Sequence, residues 1–325
     1  MQITLKTLTP LWTGGVDGIT DRLHEAGLIG SLRWWYEALV RGLGGYACDP
    51  TSQDRCPDKD GNHCVVCELF GCTGWARKFR LKTPSSINIK IKPIKGNLKA
   101  IQENQDIQLE LIPLRPIVEE EMCLLWATFR LISEYGAMGG KTIFKPTDES
   151  NRAQEFHHLD FGLVEITTAG WSCTKSLEQV KSYVTSVQWR EGNHRYRDKD
   201  GEHDYAWASI ANFWCVKGRY LARQSYASST FNQVIGRQEN KNQGQQLAPN
   251  NDVSRWLAGR QQESKKVFSF HHRDGTRTFG FVKPELVDFE GMKERLKRAW
   301  QDLDDKEFLS GKQIIPLLFR EGDAQ

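Results

Sequence analysis

Apolar residues recur along the first half of the chain at the spacings of strands and helices. Gln2 to Leu8 alternates as a strand does, and Ser31 to Leu43 has the helical spacing of an apolar stripe. Ser86 to Lys92 alternates isoleucine with polar or basic residues, and Ile107 to Leu111 predicts its partner strand. Val118 to Tyr135 predicts the longest helix of the chain.

Phe161 to Thr167 predicts one more strand. The order over residues 1–168 is then β-α-insert-β-β-α-β, which is the split βαβ pattern of a ferredoxin-like (RRM-like) domain. Many RNA-binding modules have this fold, although a fold alone does not assign a function.

The second half has a less regular pattern. Its predicted elements are two helices, a hairpin, an amphipathic helix and a final strand: Ser176 to Val187, Trp207 to Arg223, Val267 to Phe270 with Thr278 to Val282, Phe289 to Leu303, and Gln313 to Leu318. Residues 232–252 are rich in Gln and Asn, and we expect a mobile loop there. We therefore expect an α+β protein whose residues 169–325 form a second, degenerate ferredoxin-like domain.

Residues 46–75 form an insertion with its own chemistry. Cys48, Cys56, Cys64 and Cys67 follow the spacing C-x7-C-x7-C-x2-C within a stretch rich in Asp, Pro and Gly. Four nearby thiols ending in a C-x2-C pair are the ligand set of a structural, tetrahedral zinc site. Zinc would stabilise a segment that has too few apolar residues to fold alone.

Other arrangements of these cysteines stay open. His63 is an alternative fourth ligand, and Cys72 is another. The thiols could also be free or paired as disulfides, but a cytoplasmic setting disfavours disulfides.

A glycine-rich segment connects the first strand to the first predicted helix. Gly14 and Gly15 lie in it, and Gly30-Ser31 occupies the expected N-cap with Arg33 in the first turn. Free N–H groups at a helix start together with an arginine suit a phosphate. The plain alternative is a loop followed by a helix cap.

A second glycine-rich segment, Gly136 to Thr142, ends in Gly-Lys-Thr. An ATP-binding P-loop needs a glycine where Tyr135 stands, and it joins a strand to a helix rather than following a helix. The P-loop interpretation fails, whereas contact of Lys141 with an RNA backbone remains open.

Charge is unevenly distributed in this 325-residue chain, whose net charge is only +3. Leu69 to Gln102 contains no acidic residue but has eight basic ones: Arg77, Lys78, Arg80, Lys82, Lys90, Lys92, Lys95 and Lys99. Such a stretch indicates a polyanionic partner, most simply nucleic acid, or else a solubilising surface. No apolar run approaches the length of a membrane span, and we expect a cytoplasmic protein.

Known catalytic motifs are missing from the sequence: it contains neither HExxH, GxSxG nor a Walker motif. His24, beside Glu25 in the glycine-rich segment, could serve metal-independent RNA cleavage. A histidine that hydrogen-bonds or stacks is the alternative.

Three runs of residues together resemble a known family. They are Leu8 to Gly15, the run Gly-Leu-Ile-Gly-Ser-Leu-Arg-Trp-Trp-Tyr-Glu-Ala-Leu at 27–39, and Cys-Glu-Leu-Phe-Gly at 67–71. In combination they resemble the RAMP superfamily of CRISPR proteins, and within it the family of first subunits of type III-B (Cmr) effector complexes. The resemblance is strong over about the first 80 residues and weaker to about residue 145.

The resemblance implies a non-catalytic subunit of a ribonucleoprotein for antiviral defence, with two ferredoxin-like domains. Its partners would be crRNA, target RNA near the crRNA 3′ end, and other RAMP subunits. The expected RNA contacts are Gly14, Gly15, Arg22, His24, Gly30, Ser31, Arg33, Arg77, Lys78, Lys90, Lys92 and Lys141. The alternatives are a metal-independent RAMP endoribonuclease that processes repeat RNA with His24, and a zinc-stabilised DNA-binding regulator.

Overall fold

A computed structural model describes residues 1–14, 20–83, 90–95, 98–139, 146–150, 158–198, 201–223, 229–236, 239–240, 245–246, 251–259 and 263–320. It has mixed α and β structure with antiparallel sheets, as the sequence predicted. The elements of the first half are β1 (Gln2–Thr7), α1 (Glu25–Gly42), α2 (Val65–Phe70), β2 (Phe79–Lys82), β3 (Ile91–Lys95), β4 (Leu98–Ile101), β5 (Asp106–Pro113), α3 (Glu119–Glu134) and β6 (Val164–Ala169).

The elements of the second half follow: α4 (Leu177–Val184), β7 (Arg195–Asp198), β8 (Gly201–Asp204), β9 (Phe213–Lys217), α5 (Thr230–Ile235), β10 (Glu239–Asn240), β11 (Gln245–Gln246), α6 (Asp252–Ala258), β12 (Val267–Phe270), β13 (Arg277–Phe281), α7 (Phe289–Ala299), β14 (Phe308–Ser310) and α8 (Gly311–Leu318). The predicted loop at 232–252 thus begins in α5, ends in α6 and includes the β10–β11 pair, and its residues 237–238, 241–244 and 247–250 lie outside the described ones.

The two main sheets have the same strand order. The first is β2-β5-β1-β6 and the second is β12-β13-β9-β14, with every neighbouring pair antiparallel. In each sheet the strand that comes first in the sequence lies between the strands that come third and fourth in the sequence. In the first half, α1 follows β1 and α3 connects β5 to β6.

Helices α1 and α3 lie between the two sheets. Ile3 and Leu5 of β1 are buried with residues of both helices in the main core. On the other side, the Trp35 ring of α1 contacts Phe213 and Phe279 of the second sheet at centroid distances of 5.8 and 6.1 Å. The second sheet is therefore covered on both faces, because α5 and α7 pack on its far side.

Helix α1 begins six residues earlier than the sequence indicated. His24, rather than Gly30 or Ser31, is its N-cap, so the predicted helix start at Gly30-Ser31 is wrong. The backbone N–H of His24 donates to Thr13 Oγ1 at 3.1 Å, and Gly27 lies against the Thr13 backbone. These tertiary contacts offset the cost of about 1 kcal/mol for each glycine in a helix.

Two predictions for the second half are wrong. Trp207 to Arg223 is not a helix but contains β9, whose residues Phe213 to Val216 are buried on both faces and therefore show no alternation. Gln313 to Leu318 is not a strand but most of α8. Ser310 is the N-cap of that helix, and its backbone N–H donates to Gln313 Oε1 in a capping box.

Strand pairing in the first sheet also differs from the prediction. β5 pairs with β1 and with β2, a strand that the sequence did not predict. Residues 86–89 of the predicted basic strand lie outside the described residues, and its continuation β3 pairs with β4 in a separate hairpin. The predicted helix at Val118 to Tyr135 is confirmed as α3, but it is not the longest helix, because α1 has 18 residues and α3 has 16.

Cys123 of α3 and Cys173, just before α4, form a disulfide. Neither belongs to the insertion at 46–75. This pairing was not expected, because a cytoplasmic setting disfavours disulfides.

Candidate functional site

The four cysteines of the insertion come together. The sulfur atoms of Cys48, Cys56, Cys64 and Cys67 lie within 4.8 Å of one another, and all four residues are buried. Cys64 is the N-cap of α2 and Cys67 lies three residues later, so the C-x2-C pair projects from one side of a single helical turn. The four residues thus form one donor set.

The spacing of these sulfur atoms fits a metal ion. Metal–sulfur bonds of about 2.3 Å in a tetrahedron place the sulfurs about 3.8 Å apart, and the Cys48 and Cys67 sulfurs are 3.6 Å apart. Hydrogen bonding to Cys48 lowers the pKa of Cys64, and it is also the largest cause that lowers the pKa of Cys56. Four buried cysteines at this spacing could hold one metal ion.

Two arginines donate to this cluster. Arg33 Nη2 is 3.2 Å from Cys67 Sγ, and the same guanidinium binds Gly71 O at 2.9 Å and Glu37 Oε1 at 2.8 Å. Arg190 Nη1 lies 3.5 Å from Cys56 Sγ. Arg33 is therefore in the third turn of α1 and faces the cysteines, rather than standing at a helix start as predicted.

The alternative ligands serve other contacts. His63 Nε2 lies 2.7 Å from Glu68 Oε2, and its ring stacks on Trp75 at a centroid distance of 4.5 Å. Cys72 is part of a short bridge to Trp75 and does not belong to the group of four.

Lys78 lies in a buried ionic network beside the cluster. Its ammonium is 2.6 Å from Glu68 Oε1 and 2.9 Å from Glu121 Oε1. Burial raises the pKa of Glu121, and Lys78 opposes this rise. Burial also acts to raise the pKa of Glu68, but Lys78 and His63 outweigh it and lower that pKa. The charge of Lys78 is thus used inside the protein.

The two glycine-rich segments meet at the end of β1. The Gly139 N–H donates to Ser31 Oγ at 3.0 Å, and a Cβ on Gly139 would lie 2.9 Å from Trp12 O. Gly30 faces open space on the exposed side of α1. Gly14, Ser31 and Gly139 therefore belong to one surface, while Gly15 and Lys141 lie outside the described residues.

Basic side chains border this surface. Leu11, which leads into the first glycine-rich segment, exchanges two backbone hydrogen bonds of 2.9 Å with Ile101 of the β3–β4 hairpin. Lys90 and Lys92 are exposed beside and on that hairpin. Arg22 is 71% exposed, and His24 Nε2 lies 2.8 Å from Asp21 Oδ1.

Arg77 lies apart from these residues, beside the cysteine cluster. Its Nε donates to Phe79 O at 2.7 Å. Ten of the twelve predicted RNA contacts are described, and they form two groups: Gly14, Arg22, His24, Gly30, Ser31, Lys90 and Lys92 lie around the end of β1, and Arg33, Arg77 and Lys78 lie around the cysteines.

The outward face of the first sheet is polar. Its described residues include Thr4 and Lys6 on β1, Gln108 and Glu110 on β5, and Arg80 on β2, and no aromatic ring is among the described positions of these strands on that face. RRM domains stack bases on aromatic side chains of their sheet, and the described positions of this face offer none.

Sequence reasoning missed Arg190. It stands in the run Gln188 to Gly192, which has neither the spacing of a motif nor a charge pattern. Only the folded chain brings it to the cysteines, which are 134 residues away at Cys56.

No helix within the described ranges has the length and apolar character needed to cross a membrane.

The chain was compared with family models, with curated proteins and with solved structures. The family model described as the RAMP superfamily matches residues 4–144. The chain is similar to the crystal structure of Cmr1 from Pyrococcus furiosus in its apo form, with a TM-score of 0.46 and 11% sequence identity over 95% of this chain and 98% of that chain. No curated protein matches the sequence. Most of β1, all of α1, the cysteine insertion and α3 fall inside the matched segment, and the matched family is the one that the sequence motifs resemble.

Proposed function

We propose that the chain is a non-catalytic, RNA-binding subunit of a type III-B CRISPR (Cmr) ribonucleoprotein effector. The observation that carries this proposal is the RAMP match over residues 4–144 together with the three motif runs inside it. Its partners are crRNA, target RNA near the crRNA 3′ end, and other RAMP subunits of the complex, and it acts in the cytoplasm.

The proposed RNA surface lies at the end of β1. It consists of Gly14, Gly15, Arg22, His24, Gly30, Ser31, Lys90, Lys92 and Lys141. Glycines let an RNA backbone approach the main chain, and the exposed lysines supply phosphate contacts. Arg33, Arg77 and Lys78 are not included, because their side chains are engaged around the cysteine cluster.

The two units of the proposed architecture are ferredoxin-like. Residues 1–168 form the first, with the insertion at 46–75, and residues 169–325 form the second. The repeated strand order of the two sheets supports this division. We also propose that the metal of the four cysteines is structural Zn²⁺, because four thiolates in a closed tetrahedron are typical of structural zinc.

The decisive test measures binding to single-stranded RNA across a salt series. Lys90→Glu with Lys92→Glu should weaken binding and lower the slope of log K against log salt by about 1.4, since each phosphate contact on a single strand contributes about 0.7. The matched control is Arg298→Glu with Lys312→Glu, which makes the same charge change at exposed positions of α7 and α8. Equal slopes for the two double variants would contradict the proposed surface.

The same preparation tests the endoribonuclease alternative. The non-catalytic protein leaves repeat RNA intact in the absence of metal ions. If the natural protein cleaves repeat RNA and His24→Ala does not, the endoribonuclease is the correct function and the proposed one is wrong.

A further inference from the structure

The cysteine cluster is joined to the second half of the chain as well as to the first. Arg190 lies in the segment 189–209, which leads directly into β9 of the second sheet. Its guanidinium donates to Asp54 O at 2.9 Å, to Asp54 Oδ1 at 2.7 Å and to Cys56 Sγ at 3.5 Å. Its backbone N–H donates to His63 O at 3.0 Å.

Further contacts join the same two stretches. Tyr205 Oη donates to Asp54 Oδ2 at 2.5 Å, and Tyr46 Oη donates to the same oxygen at the same distance. The Arg190 guanidinium also lies over the Tyr46 ring at 5.4 Å. Arg41, whose Nη2 binds Ala47 O, donates through Nη1 to Ala208 O at 2.9 Å. Side chains of the insertion, of the segment 189–209 and of α1 therefore hold these three parts of the chain together.

The two arginines match the negative charge that a metal ion would leave on the four thiolates. Four thiolates around one divalent ion leave two negative charges uncompensated. Arg33 donates to Cys67 and Arg190 donates to Cys56, so one guanidinium stands beside each of two sulfurs. Arg33 comes from α1 of the first half, and Arg190 comes from the chain that enters the second sheet.

We infer that the metal site is completed by both halves of the chain, and that its occupancy fixes the segment 189–209 against the insertion. Arg190 is the positioning residue of this link, since it touches a sulfur ligand and Asp54 at once. The inference rests on the proposed zinc site, and it is independent of RNA binding.

The first experiment measures zinc affinity by competition with a chromogenic chelator. Loss of a hydrogen-bonding partner of a metal ligand typically lowers metal affinity by about 10- to 100-fold. We expect a loss in this range for Arg190→Ala, a smaller one for Arg190→Lys, and no change for Arg197→Ala, an arginine that is 79% exposed on β7. Unchanged affinity in Arg190→Ala would overturn the inference.

The second experiment needs no variant and so does not depend on how Arg190→Ala folds. Hydrogen exchange is followed in the natural full-length protein before and after zinc is removed by the chelator. We expect faster exchange in residues 189–209 as well as in 46–75. Faster exchange in 46–75 alone would overturn the inference and leave the zinc site intact, whereas a natural protein without zinc would overturn the zinc site itself.

Discussion

The indole Nε1 of Trp35 donates a hydrogen bond of 2.9 Å to the carbonyl oxygen of Ala137. This bond joins α1 to the second glycine-rich segment, 102 residues later in the chain. The same ring contacts Phe213, Phe279 and Phe281 of the second sheet. The side chain of Trp35 therefore contacts both the second glycine-rich segment and the core of the second half.

Trp35→Ala should lower the free energy of unfolding by about 3–5 kcal/mol, the usual cost of deleting a large buried aromatic side chain. The neighbouring variant Trp34→Ala is the control, because Trp34 is 37% exposed whereas Trp35 is 5% exposed. Denaturant unfolding of both variants measures the difference. Similar losses for the two would contradict the packing of Trp35 between the sheets.

Lys78→Met should lower the free energy of unfolding by about 3–5 kcal/mol, because it leaves the carboxylates of Glu68 and Glu121 without their shared cation. Lys82→Met, at an exposed position of β2, should have little effect. At a temperature where the variant is folded, its RNA affinity should equal that of the natural protein. A loss of RNA affinity with unchanged stability would show that Lys78 contacts RNA.

Cys64→Ser combined with Cys67→Ser should abolish zinc binding and destabilise the insertion, because two of the four sulfur ligands are removed. Metal content of the purified protein, measured by mass spectrometry, checks this. Cys72→Ser is the control and should keep one zinc per chain. Full zinc in the double variant would mean that the ligand set is different.

Stability should fall as the pH is lowered from about 6.5 to about 4. Burial, helped by the charge of Arg41, lowers the pKa of His194 from 6.5 to about 4 in the folded protein. Between these values the unfolded chain binds a proton at this residue that the folded protein does not, so protons favour unfolding. Below about pH 4 both states are protonated and the decline from this residue ends.

His194→Asn should reduce this pH dependence. Asparagine tolerates the positive φ of 58° at this position and does not titrate. Urea unfolding of both proteins at pH 7 and pH 4.5 compares the two changes in free energy. If the free energy of unfolding falls equally in the variant, groups other than His194 cause the pH dependence.

Local patterns determined much of the first half of the protein. Apolar residues recur at helical spacing from Val118 to Tyr135, and this spacing predicted α3. The C-x2-C pair predicted two ligands of one site, since residues three apart on a helical turn are neighbours. The motifs at 8–15, 27–39 and 67–71 predicted the RAMP superfamily, whose model matches residues 4–144.

Tertiary contacts decided what local patterns could not. Gly27 and Gly30 indicated a loop, but the support of Thr13 extends α1 back to Glu25. The strand β9 has no alternation because both its faces are buried, one against α1 and one against the helices of the second half.

The roles of the charged residues depend on the same tertiary contacts. Arg33 and Lys78 were both predicted to contact RNA, yet the fold turns them toward sulfur and carboxylate partners. Arg190 reaches Cys56 only because the segment 189–209 folds back over the insertion. Sequence determined which residues could bind a metal or a phosphate, whereas burial and long-range contact determined which charges remain available to a partner, because a charge removed from water must be paired within the protein.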